Sequence, residues 1–205
     1  MQMKIFLLSF FYSLFLFSES RQPISPVSFV DLKRYTGLWH EIARLPNSTE
    51  TNCVHATAEY TLNSNGFLGI LQRCTKANGY TREAKGVARI DNAPENSRFS
   101  TNFVPHWLSW IGLGWEEQWI IDLDPNYQVA VISDPNRDYL WIFSRTGSID
   151  KTTYDIIISK LHAQHFKLSH LIVSGEIIPE PQNFNKVTLH QKKPLLPHTE
   201  MLRGR

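Results

Sequence analysis

The chain of 205 residues has room for one domain with tails. Its 42% hydrophobic and 20% charged residues match a soluble globular protein with a substantial buried core. The net charge is only +2, and part of the basic excess lies between Lys186 and Arg205, which leaves no case for a nucleic-acid footprint.

The N-terminus reads as an export signal over residues 1–20. Met1 to Lys4 is a short basic start, Ile5 to Phe17 is a nearly continuous apolar run, and Ser18 and Ser20 supply small residues for cleavage. The run is too short for a membrane span. No cysteine precedes Cys53, so a lipid-modified N-terminal cysteine is not expected and the processed protein should be free. Residues 21–29 form a lead, residues 30–178 the domain, and residues 179–205 a basic, proline-containing tail expected to be disordered.

Gly37 to Arg44 gives the first strand. Period-two alternation then runs through Val54, Ala56, Ala58, Tyr60 and Leu62, with His55, Thr57, Glu59 and Thr61 between them. Asn63-Ser64-Asn65-Gly66 is a turn, and Phe67 to Cys74 returns. The two cysteines, Cys53 and Cys74, fall nearly opposite each other across this hairpin. Export favours a bridge between them, with two free thiols as the alternative. Thr81 to Ile90 places Ala84, Gly86, Ala88 and Ile90 on one face. Arg98 to Val104, Gln118 to Asp122, Tyr127 to Ile132 and Tyr139 to Ser144 complete eight strands, the later ones separated by Asp-Pro-Asn turn chemistry.

Only after Arg145 does the period become helical, with Tyr154, Ile157, Ile158 and Leu161 on one face and Asp150 as N-cap. A short strand at Leu171 to Val173 follows. Eight sequential antiparallel strands and one C-terminal helix predict an all-β, up-and-down barrel, whose closure removes sheet edges. Such a barrel can hold one small ligand.

Three motifs then carry a family resemblance. Gly37-Leu38-Trp39 is similar to the lipocalin G-x-W signature, Asp122-Leu123-Asp124 with Tyr127 to the second lipocalin block, and Ser144-Arg145-Thr146 to the third. The runs from Glu41 to Asn47 and from Asp138 to Arg145 resemble the branch of the bacterial outer-membrane lipocalin and the apolipoprotein D-like proteins. Two departures stand out: bacterial members are commonly lipoproteins, and His40 replaces the Tyr usual after the Trp. The resemblance implies that Trp39 plugs the closed end of the barrel with Arg145 across its ring, a contact of roughly 0.5–2 kcal/mol. Gly37, Trp39 and Arg145 are then structural floor.

With Trp39 at the closed end, the loops Leu45–Asn52, Thr75–Gly79, Pro105–Glu117 and Ser133–Arg137 share the mouth. The third carries Trp107, Trp110 and Trp115 and reads either as a helical filler or as an apolar lip for membrane or ligand tails. The lip also offers a surface for a homodimer. Inside, Ala56, Ala58, Ala84, Gly86 and Ala88 leave room, while Tyr60, Phe99, Thr101, Phe103, Trp119, Ile121 and Trp141 supply wall; this reads as a ligand cavity, with close packing of the small residues around their large neighbours as the alternative. Glu41 shares the parity of Trp39 and points to a ligand headgroup or a basic partner. Asn47-Ser48-Thr49 is an N-glycosylation sequon if the source is eukaryotic.

Nothing in the sequence favours catalysis, a metal or a cofactor. His162 and His165 lack a supporting carboxylate or thiol cluster. The branch resemblance implies an exported carrier of fatty acids or lysophospholipids, periplasmic or outer-membrane-associated if bacterial and otherwise secreted. Two other readings stand beside it: a lipocalin-fold, lipid-converting enzyme with a cavity thiol, and a secreted interaction module using the Trp-rich loop.

Overall fold

Period-two alternation produces eight successive strands in the computed structural model, which describes residues 22–104 and 114–180. They are β1 (Gly37–Arg44), β2 (Cys53–Leu62), β3 (Leu68–Lys76), β4 (Thr81–Ile90), β5 (Arg98–Asn102), β6 (Trp115–Leu123), β7 (Val129–Ser133) and β8 (Leu140–Ser144). Each pairs antiparallel with the next, and β8 returns to β1 with His40 opposite Ser144 and Arg44 opposite Trp141. The sheet therefore closes on itself, and no strand of the eight is left as an open edge.

The turns form for local reasons. Asp134 accepts hydrogen bonds from the Asn136 amide at 2.9 Å and the Tyr139 amide at 2.7 Å, which folds the β7–β8 connection around one carboxylate. Asp124 does the same for β6–β7, accepting from the Asn126 and Val129 amides. Gly66 closes the β2–β3 turn at a φ of 82°, where a side chain would be strained.

The lower end is sealed by the segment preceding β1. Its one-turn helix α1 (Leu32–Tyr35) is capped by Asp31, whose carboxylate accepts from the Lys33 amide at 2.9 Å. Tyr35 and Trp39 are fully buried, and the Trp39 indole donates to the Tyr35 carbonyl at 2.9 Å. The Arg145 guanidinium lies 3.7 Å from the centroid of the Trp39 ring. It also donates to the carbonyls of Leu38 (2.9 Å), Arg34 (2.7 Å), Tyr35 (3.0 Å) and Tyr127 (3.2 Å). Gly37 permits this approach: its φ is 98°, and a Cβ there would stand 3.3 Å from an Arg145 nitrogen. The floor is thus a stacked indole and guanidinium stitched to four backbone oxygens.

After β8 come β9 (Ser148–Asp150), the helix α2 (Lys151–Ala163), β10 (Ile172–Val173) and β11 (Glu176–Ile178). The Asp150 carboxylate caps α2 by accepting from the Thr153 amide at 2.8 Å. Ile157 and Leu161 of α2 are buried against the outer wall, among Ile121, Val131 and Ile142. Each such side chain contributes roughly 1.5–3 kcal/mol when fully removed from water. β11 runs parallel to β9, and β10 pairs with the upper half of β1. The described residues consequently form two apolar cores, one inside the barrel and one between barrel and helix.

Candidate ligand cavity

The inner core fills the lower barrel. Trp39, Tyr35, Tyr60 and Phe99 pack there with Ala58, Ala88, Leu68, Ile70 and Ile120. Burial pushes the Tyr60 hydroxyl up to about 12, so it stays neutral. Above this plug a cavity of about 400 Å³ opens at the mouth, near the lower end of the roughly 300–1,000 Å³ usual for ligand pockets.

Ala84, Phe103, Val104, Cys74 and Trp141 give the cavity its apolar wall. Polar side chains complete it: Gln72 from β3, Arg82 from β4, Glu116 and Gln118 from β6, Tyr139 beside β8, and Glu50 from the β1–β2 loop. That loop contains a single 3-10 turn, Ser48–Glu50, held on two sides. On one side Glu50 Oε2 accepts from the Trp141 indole at 2.9 Å and from Asn47 Nδ2 at 2.6 Å. On the other the Arg82 guanidinium donates to the Thr49 carbonyl. The turn lies across part of the mouth.

Beneath Glu50 sits a buried ionic cluster. Glu41 is fully buried, and its Oε1 accepts from Arg44 at 2.5 Å and from Ser174 Oγ at 2.6 Å. A bulge in β1 between Glu41 and Ala43 turns Arg44 to the same side as Glu41. Arg44 also donates to the carbonyls of Glu50 (3.0 Å) and Cys53 (3.3 Å), and its Nε stands 3.7 Å from Glu50. Loss of water pushes the Glu41 carboxyl above its ordinary range and the Glu50 charge pushes the same way, with Ser174 and Arg44 opposing. Of the two partners considered for Glu41, the structure provides the basic one.

The expected lining residues are distributed unevenly. Ala84, Phe103 and Trp141 border the cavity. Ala58, Tyr60, Ala88 and Phe99 belong to the packed plug below it. Ala56 is buried on β2, and Thr101 is buried with its hydroxyl on the Glu116 carbonyl at 3.3 Å. Gly86 lies directly under Phe103, since a Cβ there would approach the ring to 2.6 Å.

The alternation of β6 runs opposite to the expected inner wall of Trp119 and Ile121: both pack on the outside with the α2 residues, and Ile120 enters the barrel. The Arg98 guanidinium covers the Trp119 ring at 4.6 Å. Trp115 is half-buried at the start of β6 with Arg89 5.0 Å from its ring centroid. Trp107 and Trp110 lie outside the described residues. Sequence reasoning missed Arg82, Gln72, Glu116 and Gln118 because they are polar, although Arg82 shares the parity of Ala84, and Gln118 that of Ile120. Glu50 gave no periodic signal, since it comes from a loop.

Cys53 and Cys74 form a disulfide with Cα atoms 5.4 Å apart. A register shift between Cys53 and His55 brings Cys53 into reach, because Cys74 itself pairs with Ala56. The bridge ties the mouth loop to β3.

An eight-stranded barrel sealed below and hollow above is a cup of the small-ligand-binding β-barrel class. The family model described as "Lipocalin-like domain" matches residues 30–176. The chain belongs to this lipocalin family. It is 32% identical over 154 residues to temperature-induced lipocalin-1 of Arabidopsis thaliana, covering 74% of this chain and 82% of that one. It is 31% identical over 154 residues to the outer membrane lipoprotein Blc of Vibrio cholerae, covering 74% and 85%. Among solved structures, insecticyanin from the tobacco hornworm Manduca sexta shares the fold at a TM-score of 0.56 and 18% identity, over 76% of this chain and 90% of that one.

Proposed function

We propose that this chain is an exported lipid-binding carrier that holds a fatty acid or lysophospholipid for transport, storage or membrane maintenance. The observation that carries the reading is the cavity of about 400 Å³ above a sealed floor. Its wall of Ala84, Phe103, Val104 and Trp141 suits an acyl chain, which gains about 0.8 kcal/mol per buried methylene. The relationship to an outer membrane lipoprotein supports work at a membrane. In this reading the signal-like N-terminus directs export, and the Trp-rich segment ending at Trp115 touches the membrane surface. A thiol-dependent enzyme is disfavoured, because both cysteines of the chain are consumed in one bridge.

Native mass spectrometry of gently purified protein, followed by organic extraction, tests the proposal. A stoichiometric mass excess that extracts as fatty acid or lysophospholipid is expected. An empty barrel that also takes up no added lipid would overturn it.

A further inference from the structure

The two sides of the mouth differ in chemistry. Tyr139 and Trp141 stack with ring centroids 5.9 Å apart and planes 8° from parallel. Both border the main cavity and a second one of about 360 Å³ that shares its rim. Glu50, only 8% exposed, meets this aromatic pair through Oε2 on the Trp141 indole. Oε1 receives no hydrogen bond among the described residues, and Glu50 lines the cavity. Glu116 borders both hollows and Asp138 the second, and neither has an ion-pair partner among the described residues. Among the described residues, no lysine or arginine borders the second hollow.

The nearest cation cannot satisfy Glu50. Arg44 is engaged with Glu41 at 2.5 Å and reaches Glu50 only at 3.7 Å. Arg44 therefore makes its close contact with Glu41, and Glu50 keeps no cation within hydrogen-bond distance among the described residues. A carboxylate brought to this corner would be repelled. A cation would meet aromatic faces whose quadrupole attracts it and carboxylates that lack a close cation among the described residues. On the far side of the Ser48–Glu50 turn, Arg73 is tied to Glu59 and Glu83, whereas Arg82 rests on the Thr49 carbonyl and offers its remaining donors to an anionic group.

We infer that the corner formed by Glu50, Glu116, Tyr139 and Trp141 seats an ammonium group, so that the barrel prefers amine-bearing amphiphiles to carboxylates of the same chain length. The inference rests on the carrier reading and narrows it. The ammonium can belong to a free long-chain amine or to a zwitterionic lipid headgroup.

Isothermal titration below the micellar threshold tests this on the whole protein. Two matched pairs are compared: dodecyltrimethylammonium against dodecanoate, and lauroyl lysophosphatidylcholine against lauroyl lysophosphatidylglycerol. A preference for the ammonium member of roughly thirtyfold, about the yield of one desolvated cation–π contact, is expected in at least one pair, and the pair that shows it identifies the source. Glu50→Gln preserves an acceptor for the Trp141 indole while removing charge, and should abolish the preference. Glu116→Gln and Tyr139→Leu, at exposed positions that spare the core, should each reduce it. Equal or tighter binding of the carboxylate and of the glycerol lipid would overturn the inference and leave the carrier reading standing. No binding of any of the four would overturn both.

Discussion

Replacing Arg44 by Met should unfold the mouth at a cost far above that of an ordinary surface ion pair. The Arg44 side chain is 3% exposed, and that of its partner Glu41 is 0% exposed. Removing the guanidinium strands a carboxylate in a dry site, for which breaking a buried pair costs about 3–5 kcal/mol. It also removes donors from the Glu50 and Cys53 carbonyls, which hold the β1–β2 loop down. For a domain of this size each kcal/mol lowers the melting temperature by about 2–4 °C, so a fall of roughly 6–20 °C is expected. Urea titration at neutral pH, followed by tryptophan fluorescence, measures the free energy directly. The double variant Glu41→Gln/Arg44→Met should recover at least half of the loss, because it removes the stranded charge as well. A single-variant cost below about 1 kcal/mol, the range of exposed pairs, would refute the claim that this cluster is dry.

Glu41 also gives a pH signature. Its carboxyl is raised in the folded state, so the folded protein holds a proton that the unfolded chain releases, and stability from this site falls as pH rises from the ordinary carboxylate range to the raised value. Urea titrations across that window should show Glu41→Gln lacking this decline, while Asp150, lowered by the Thr153 amide, contributes the opposite slope in both proteins. Gly86→Ala puts a Cβ 2.6 Å from the Phe103 ring and 2.8 Å from the Asn102 carbonyl. Overpacking of this kind costs about 1–3 kcal/mol, and thermal melts with lipid titration should show lower stability together with weaker uptake. Opening the Cys53–Cys74 bridge by double Ala substitution frees a loop with a sequence separation of 21. Loop-closure entropy predicts a loss of about 3 kcal/mol, measured by urea titration, with unchanged stability counting against it.

The barrel was legible because alternation, turn chemistry and closure all point the same way. The Asp-Pro-Asn turns announced themselves through an aspartate whose carboxylate accepts from amides two and five residues on, and Ala84 and Ala88 share an inward face because Glu83, Lys85 and Arg89 between and beside them favour water. β6 failed for a definable reason. Its outer face is covered by α2, so Trp119, Ile120 and Ile121 are all apolar and hydrophobicity no longer separates inside from outside. The same strand puts Gln118 and Glu116 toward the cavity, reversing the polarity that marks a wall as internal. The β1 bulge added a second difficulty, since it places Glu41 and Arg44 on one side although strict alternation would oppose them. Glu50 is illegible locally because its place depends on Trp141, 91 residues away.

The sealed floor has a kinetic consequence. With Trp39 and Arg145 closing one end, whatever occupies the barrel must leave by the opening through which it came. An incoming molecule cannot push the resident out from behind. Exchange in such a vessel is a queue of one: the rate of replacement is set by the departure of the occupant and stays constant however much competitor is supplied.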